Sequence, residues 1–336
     1  MPCYRLCSQN WQGNPWHHDV WWNGGEGDTA IINITGDRVD AADLPVHNAL
    51  IRHSQMPVAT LFDVPNQPLW DRREDDLIAL SFEEYLVSGD PSWPLLFPMV
   101  QSVRALMEAL FEHTSGKISK FVLTGGSKRG WTTYLAAGTI PRRVVGAAPM
   151  VFDNLNFPAQ MALQKARWGD YSEKLVDYSS REMMQLLEQP RGLELAALVD
   201  PIHFLDQTQA PLLIITGTND PFWMVDAAQV YLGDLPESAR FLCLPNTGHD
   251  LQGAISPYPT VGEFARRCRD GRLLPELESV PRDQIQHWTA YGPNWQFADA
   301  IWQQAPEKRR PRAEVRLAQF KGDLGQYWLS SPVSTA

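Results

Sequence analysis

Two hydrophobic rhythms alternate through the middle of this chain. Short, nearly unbroken apolar runs occupy 29–35, 58–64, 144–152, 211–216 and 240–244, and a sixth, shorter run, 121–124, leads into a glycine-rich turn. Runs of this kind suit strands buried on both faces, as in a parallel sheet covered by helices. Between them, 74–87, 99–113 and 131–137 carry apolar residues at helical spacing, as does 261–268 farther on. Right-handed crossovers would then put the strand C-termini on one edge. The opening residues 4–11 and 17–22 read as an antiparallel hairpin turned at Gly13-Asn-Pro15. Together these elements predict about eight strands in a mostly parallel sheet flanked by helices.

The pattern breaks twice. Residues 153–210 form a long interruption rich in Met, Leu, Gln and Glu, with helix in its second half. An insertion of that length after a strand is usually functional, and a helical cap over the strand ends is expected. After Leu251 the periodicity weakens. Segments 313–320 and 326–329 resemble two antiparallel strands, so 252–336 is expected to be an extension with a small edge sheet. The whole chain, 1–336, reads as a single α/β domain.

The turn after 121–124 is Gly125-Gly-Ser-Lys-Arg-Gly130, followed at once by helix-compatible sequence. A strand turning sharply into a helix with serine at the apex is a nucleophile elbow. A serine hydroxyl needs a base in hydrogen-bond reach and a carboxylate that fixes the base's tautomer. On such a sheet the chain order is serine, acid, histidine. Ser127, Asp220 in Thr218-Asn-Asp-Pro221, and His249 in Pro245-Asn-Thr-Gly-His249 supply that order, each just past a strand. Asp153, after the run 144–152, is the rival acid, and Asp220 is preferred because it ends a cleaner strand. The alternative role for Asp153 is a hydrogen bond anchoring the insertion. Backbone N–H of Lys128 is the expected first oxyanion donor, and the loop at Gly36 and Asp37 the expected second. Lys128 and Arg129 side chains suit either a substrate anion or the oxyanion, or else ion pairs to nearby carboxylates. Trp131, Trp223 and Asp153 are the expected pocket residues.

Composition narrows the partners. A net charge of −10 and the absence of a basic patch exclude nucleic acid as a partner, since phosphate contacts need a cationic face. No apolar run reaches the length of a membrane span. With no signal-like start, a cytoplasmic protein is expected, although an exported protein whose leader had been removed would begin in the same way. Four cysteines are too few for a disulfide framework, and Cys3 and Cys7 are spaced poorly for a metal site. No cofactor and no metal are expected; the partner is a small-molecule or peptide substrate.

Several motifs together resemble the PhoPQ-activated pathogenicity-related family. They are Ser127-Lys-Arg-Gly-Trp-Thr-Thr133, Pro149-Met-Val-Phe-Asp-Asn-Leu-Asn156, Gly217-Thr-Asn-Asp-Pro-Phe-Trp223 and Pro245-Asn-Thr-Gly-His249. Ser8-Gln-Asn-Trp11, Val64-Pro-Asn-Gln-Pro68 and Glu74-Asp75 also fit. The resemblance implies an α/β-hydrolase fold, with the family's serine, aspartate and histidine on Ser127, Asp220 and His249. It further implies a link to bacterial virulence and resistance to antimicrobial peptides. The Gly-x-Ser-cation-x-Gly pattern is also similar to glucuronoyl esterases, in which an arginine after the nucleophile helps stabilise the oxyanion, and Lys128 holds that place here. The expected activity is serine-dependent ester hydrolysis, with peptidase or amidase action, or a non-catalytic binding role, as alternatives.

Overall fold

The computed structural model describes residues 3–36, 44–186, 189–306 and 308–336. It opens with the hairpin β1 (Cys3–Trp11) and β2 (Asn14–Trp22). The turn is Gln12-Gly13 rather than Gly13–Pro15, because both of these residues have positive φ, 49° and 77°, which matches the twist of the flanking strands. Then follow β3 (Thr29–Ile34), α1 (Leu44–Ser54), β4 (Val58–Leu61), α2 (Glu74–Ser88) and α3 (Leu96–His113). The elbow region is β5 (Lys120–Gly126), α4 (Lys128–Thr139) and β6 (Val144–Met150). Within the insertion lie α5 (Phe157–Trp168), α6 (Val176–Ser179), α7 (Met183–Leu186) and α8 (Pro190–Val199), so its first half is helical as well. The chain continues through β7 (Leu213–Gly217), β8 (Arg240–Leu244), α9 (Tyr258–Arg269), β9 (Gln286–Tyr291), β10 (Arg312–Gly322), β11 (Gly325–Ser330) and β12 (Ser334–Thr335).

The strand order is β1-β2-β4-β3-β5-β6-β7-β8-β11-β10-β12, with β9 also paired to β10. The block β4-β3-β5-β6-β7-β8 is parallel and both flanks are antiparallel, so the sheet is mixed. It has 12 strands, not eight. The expected small edge sheet is continuous with the main one: β11 joins β8 through the pair Ser330 and Phe241. The Ser330 hydroxyl also accepts from Cys243 N at 2.7 Å. An edge strand left bare would expose unpaired backbone groups, and the C-terminal strands cover that edge. The helix α1 and the strand β9 carry too few periodic positions to have been legible beforehand.

Alternation along the parallel strands splits the core. Ile31 and Val122 face a layer with Leu50 of α1 and Phe264 of α9. Ile32 and Leu123 face the opposite layer with Val103 of α3 and Leu135 of α4. Both layers are sealed, which the unbroken apolar runs required. Cys7, unlike the buried Cys243 and Cys268, is exposed on the edge hairpin. No helix among the described residues is long and apolar enough to cross a membrane.

Where α4 leaves β5 the backbones almost touch. A Cβ on Gly130 would lie 2.6 Å from the Met150 carbonyl oxygen and 3.2 Å from that of Gly125. Both obstacles are main chain in the central strands and cannot swing aside. Gly130→Val should therefore lower stability by about 3 kcal/mol, the upper range for overpacking. Urea unfolding measures this; an unchanged midpoint would mean that the close approach yields easily.

Candidate active site

Ser127 sits between β5 and α4 with φ 57° and ψ −127°, a backbone conformation that ordinary residues avoid. Two bonds hold it there. Its N–H donates to Met150 O at 2.9 Å, and its carbonyl accepts from Trp131 N at 3.0 Å, the first turn of α4. Lys128 is the first residue of that helix, so its N–H lacks an acceptor one turn back and points outward with the helix dipole.

Asp220 and His249 come from the loops after β7 and β8. Those loops are tied together by Asn219 N to Thr247 O at 2.9 Å and Thr218 N to Leu244 O at 3.0 Å. Gly217 permits the contact, because a Cβ there would lie 2.2 Å from Thr247 O. The extension clamps the pair from outside. Asn219 Nδ2 donates to Ala300 O at 2.7 Å, and Asn246 exchanges bonds with Trp302 N and O at 2.8 and 2.9 Å. The result is a hydrogen bond of 2.7 Å between His249 Nδ1 and Asp220 Oδ2. The other carboxylate oxygen accepts from Phe222 N at 2.9 Å. The Phe222 ring stacks on the imidazole, 4.1 Å between centroids at 27°.

Ser127, Phe222, Trp131 and Trp223 line one cavity, whose empty volume is about 840 Å³ with open solvent at its mouth included. Phe222 thus links the cavity wall to His249. Among the described residues the Ser127 hydroxyl makes no hydrogen bond, so the serine-to-imidazole link is open in this structure. The Trp131 indole donates to Val199 O at 2.6 Å and stacks on Phe152 at 5.0 Å, joining the elbow helix to α8 of the insertion.

The two cations of the elbow are spoken for. Arg129 makes a two-pronged pair with Glu74, 2.7 and 2.8 Å, and also donates to Val64 O. Lys128 Nζ lies 2.8 Å from Glu74 and 2.9 Å from Asp75. Both cationic side chains are only 9% exposed. Burial alone would raise the Glu74 carboxyl, but the Arg129 and Lys128 contacts outweigh it and hold the group well below the usual carboxylate range. Of the two readings for these cations, ion pairs to helix carboxylates is the one realised. The Arg129 guanidinium also fills the space beside Gly36, where a Cβ would lie 1.2 Å from Nη2. Asp37, the other half of the expected second oxyanion site, lies outside the described residues.

Asp153 departs from expectation as a pocket residue. It is buried, absent from the cavity wall, and accepts from Tyr231 Oη at 2.5 Å. Burial pushes its carboxyl up to about 7 against that hydrogen bond, with the charges of Asp220 and Asp226 adding to the rise. The imidazole bonds Asp220 and not this group. Sequence reasoning missed Phe222, next to the chosen Trp223, and also Asn154, Tyr178 and the α7 methionines, which line the cavity. An aromatic beside a tryptophan carries no separate signal, and the insertion's apolar residues read as ordinary helix.

Residues 1–297 match the family described as PhoPQ-activated pathogenicity-related protein. The chain belongs to this family. A curated relative, autocrine proliferation repressor protein A of Dictyostelium discoideum, is 35% identical over 206 residues, 57% of this chain and 41% of that protein. The chain thus matches under half the length of that relative. Solved structures similar to this chain include a puromycin-hydrolyzing peptidase of Mycobacterium tuberculosis, with TM-score 0.56 and 15% identity over 82% of this chain and 40% of that one. Acetyl xylan esterase 1 from a Thermoanaerobacterium species has TM-score 0.52 and 13% identity over 75% and 78%. An esterase of Pyrococcus furiosus has TM-score 0.51 and 14% identity over 80% and 91%. At these identities the likeness is one of fold, the α/β-hydrolase fold.

Two substitutions probe the site's electrostatics. Glu74→Gln leaves two buried cations short of a partner and should cost about 2–3 kcal/mol, less than a fully buried pair because Glu74 is itself partly exposed; chemical unfolding reads this, and a loss under 0.5 kcal/mol would refute it. Asp153 keeps its proton in the folded state up to about 7 but loses it when unfolded near 3.8. Its contribution is therefore complete below the unfolded value and declines as pH rises toward 7. The stability difference between wild type and Asp153→Asn should fall over that window and flatten above it, as measured by unfolding at fixed temperature across pH.

Proposed function

We propose that this chain is a serine-dependent carboxylic ester hydrolase. The observation that carries the reading is the His249–Asp220 bond of 2.7 Å, beside a serine held at a strained strand-to-helix turn. Ser127 Oγ attacks the ester carbonyl carbon while His249 Nε2 takes its proton. Asp220 fixes the Nδ1–H tautomer and stabilises the imidazolium. Negative charge on the former carbonyl oxygen is met by the Lys128 N–H at the start of α4. Collapse breaks the bond to the alkoxide, which leaves with the proton from His249. Water, deprotonated by the same imidazole, then attacks the acyl-enzyme and frees Ser127 and a carboxylic acid. The lack of a Ser127–His249 hydrogen bond among the described residues is consistent with this cycle, because such bonds are often long without substrate and tighten in the complex. On this reading the insertion 153–210 acts as a cap that screens substrates, and the activity serves bacterial virulence or stress resistance, a link supported by the family's description as pathogenicity-related.

A second reading, hydrolysis of amides or short peptides, draws support from Asn154. Its Oδ1 is buried at the cavity without a hydrogen-bond partner, an acceptor suited to a substrate N–H.

A fluorophosphonate probe should label Ser127 in the folded protein, with the adduct located by peptide mass mapping. Ser127→Ala should abolish labelling and reduce turnover of aryl esters at least a thousandfold, and Asp220→Asn should lower it by about three to four orders of magnitude. Unlabelled Ser127 in well-folded protein, or full activity in Ser127→Ala, would remove the hydrolase reading and leave a binding role. Peptide cleavage without ester turnover would favour the second reading over the first.

A further inference from the structure

Behind the elbow the cavity wall is hydrocarbon. Phe82 and Leu86 come from α2, Phe157 and Met161 from α5, and Leu195 and Val199 from α8. Apart from the Ser127 hydroxyl, the charged and hydroxyl groups in the wall already have partners. Lys128 pairs with Glu74 and Asp75, and Asp75 also accepts from Tyr178 Oη at 2.9 Å. A substrate carboxylate entering here would lose its water, find the ammonium already paired, and face the Asp75 carboxylate. A polyhydroxylated group would fare little better, since Asn154 offers a single unpaired acceptor.

The cavity also has a direction. Ser127 and Lys128 lie in its wall, whereas His249 does not and is stacked on Phe222, which does. During turnover the acyl group stays bonded to Ser127, while the leaving group collects its proton from His249. The acyl part therefore stays on the chamber side and the leaving group departs on the imidazole side. There Asp220 lines a second groove of mixed character, in which Asp170, Glu173, Lys174 and Asp299 stand among Trp168, Trp295 and Phe297.

We infer that the chamber holds the acyl portion of the substrate and that this portion is an uncharged hydrocarbon group. The inference rests on the hydrolase reading above for its reaction, but not for the ligand the chamber takes. Each methylene buried in such a wall is expected to raise kcat/KM by up to about fourfold.

The test compares 4-nitrophenyl acetate, octanoate and monosuccinate on the full chain. Octanoate should exceed acetate in kcat/KM at least tenfold, and monosuccinate should be the poorest. Ala196, on α8 and 3% exposed, is part of the wall. Ala196→Phe fills the chamber and should lower the octanoate-to-acetate ratio about tenfold. A second arm needs no turnover: octanamide, a neutral mimic of the octanoyl group, should raise the unfolding midpoint of Ser127→Ala protein, and acetamide should not. Preference for acetate or monosuccinate by an enzyme whose Ser127 is labelled overturns the inference and leaves the hydrolase reading intact. If no ester is turned over and Ser127 stays unlabelled, the hydrolase reading falls. The octanamide shift then decides the inference alone: its presence supports an apolar ligand and its absence overturns one.

Discussion

The strained turn at Ser127 depends on one ionic contact. A residue forced to φ 57° and ψ −127° relaxes unless its neighbours forbid it, and the strain is worth about 1–3 kcal/mol. The two residues that follow it are both cations with only 9% of their side chains exposed. Without Glu74, Arg129 would lose its carboxylate and Lys128 would keep only Asp75. With Glu74, the first turn of α4 is pinned to the N-terminus of α2. Glu74 is itself fixed by Gln67, which accepts from its backbone N–H at 2.8 Å and donates to its carboxylate. Arg129 spans the gap between β3 and the loop after β4, against Gly36 and Val64 O. The elbow is thus braced from three directions, and the brace is ionic rather than hydrophobic because the carboxylates must also cancel the charge that Lys128 brings to the cavity.

The acid and base are braced differently. Nothing ionic holds their loops; backbone contact does. Gly217 lets the loop after β8 lie on the loop after β7, and the asparagines 219 and 246 are captured by main-chain groups near 300. Among the described residues no Lys or Arg pairs with the Asp220 carboxylate, so its charge acts on the imidazole. The arrangement also gives the C-terminal extension a purpose beyond covering the edge of β8: without the segment around Ala300 and Trp302, both asparagines would lose their anchors.

Much of this was legible because the physics was local. Strands buried on both faces must be apolar throughout, so β3, β6, β7 and β8 could be read from their runs. A serine among glycines between strand and helix signals a turn that only small neighbours allow, and Gly130 against Met150 O is that requirement made visible. What stayed hidden was long-range. The pairing of β11 with β8 joins segments some ninety positions apart, as the Cys243–Ser330 bond shows, and no period in either segment announces it. The partners of Lys128 and Arg129 were equally silent, since Glu74 reads as an ordinary acidic residue at a helix start, favoured there by the dipole alone. Asp153 misled for the same reason: a carboxylate after a strand looks available, and only the Tyr231 hydroxyl and its burial show otherwise.

The two long additions to the sheet meet around the site. The insertion brings α5 and α8 over the nucleophile and sets hydrocarbon around it, with Trp131 hydrogen-bonded to Val199 O as the fastening. Residues of both additions, Trp168, Tyr171 and Glu173 from the insertion and Trp295, Phe297 and Asp299 from the extension, line the groove that holds Asp220. Phe222 joins the two regions, lining the chamber and stacking on His249. Stacking restricts the imidazole to rotation within its own plane, and the bond to Asp220 removes that freedom too. The base is therefore fixed before substrate arrives, and the serine hydroxyl, which makes no hydrogen bond of its own, is the group left to move. Reorienting one hydroxyl rotor costs far less than reorienting a stacked ring, so the arrangement puts the adjustment where it is cheapest.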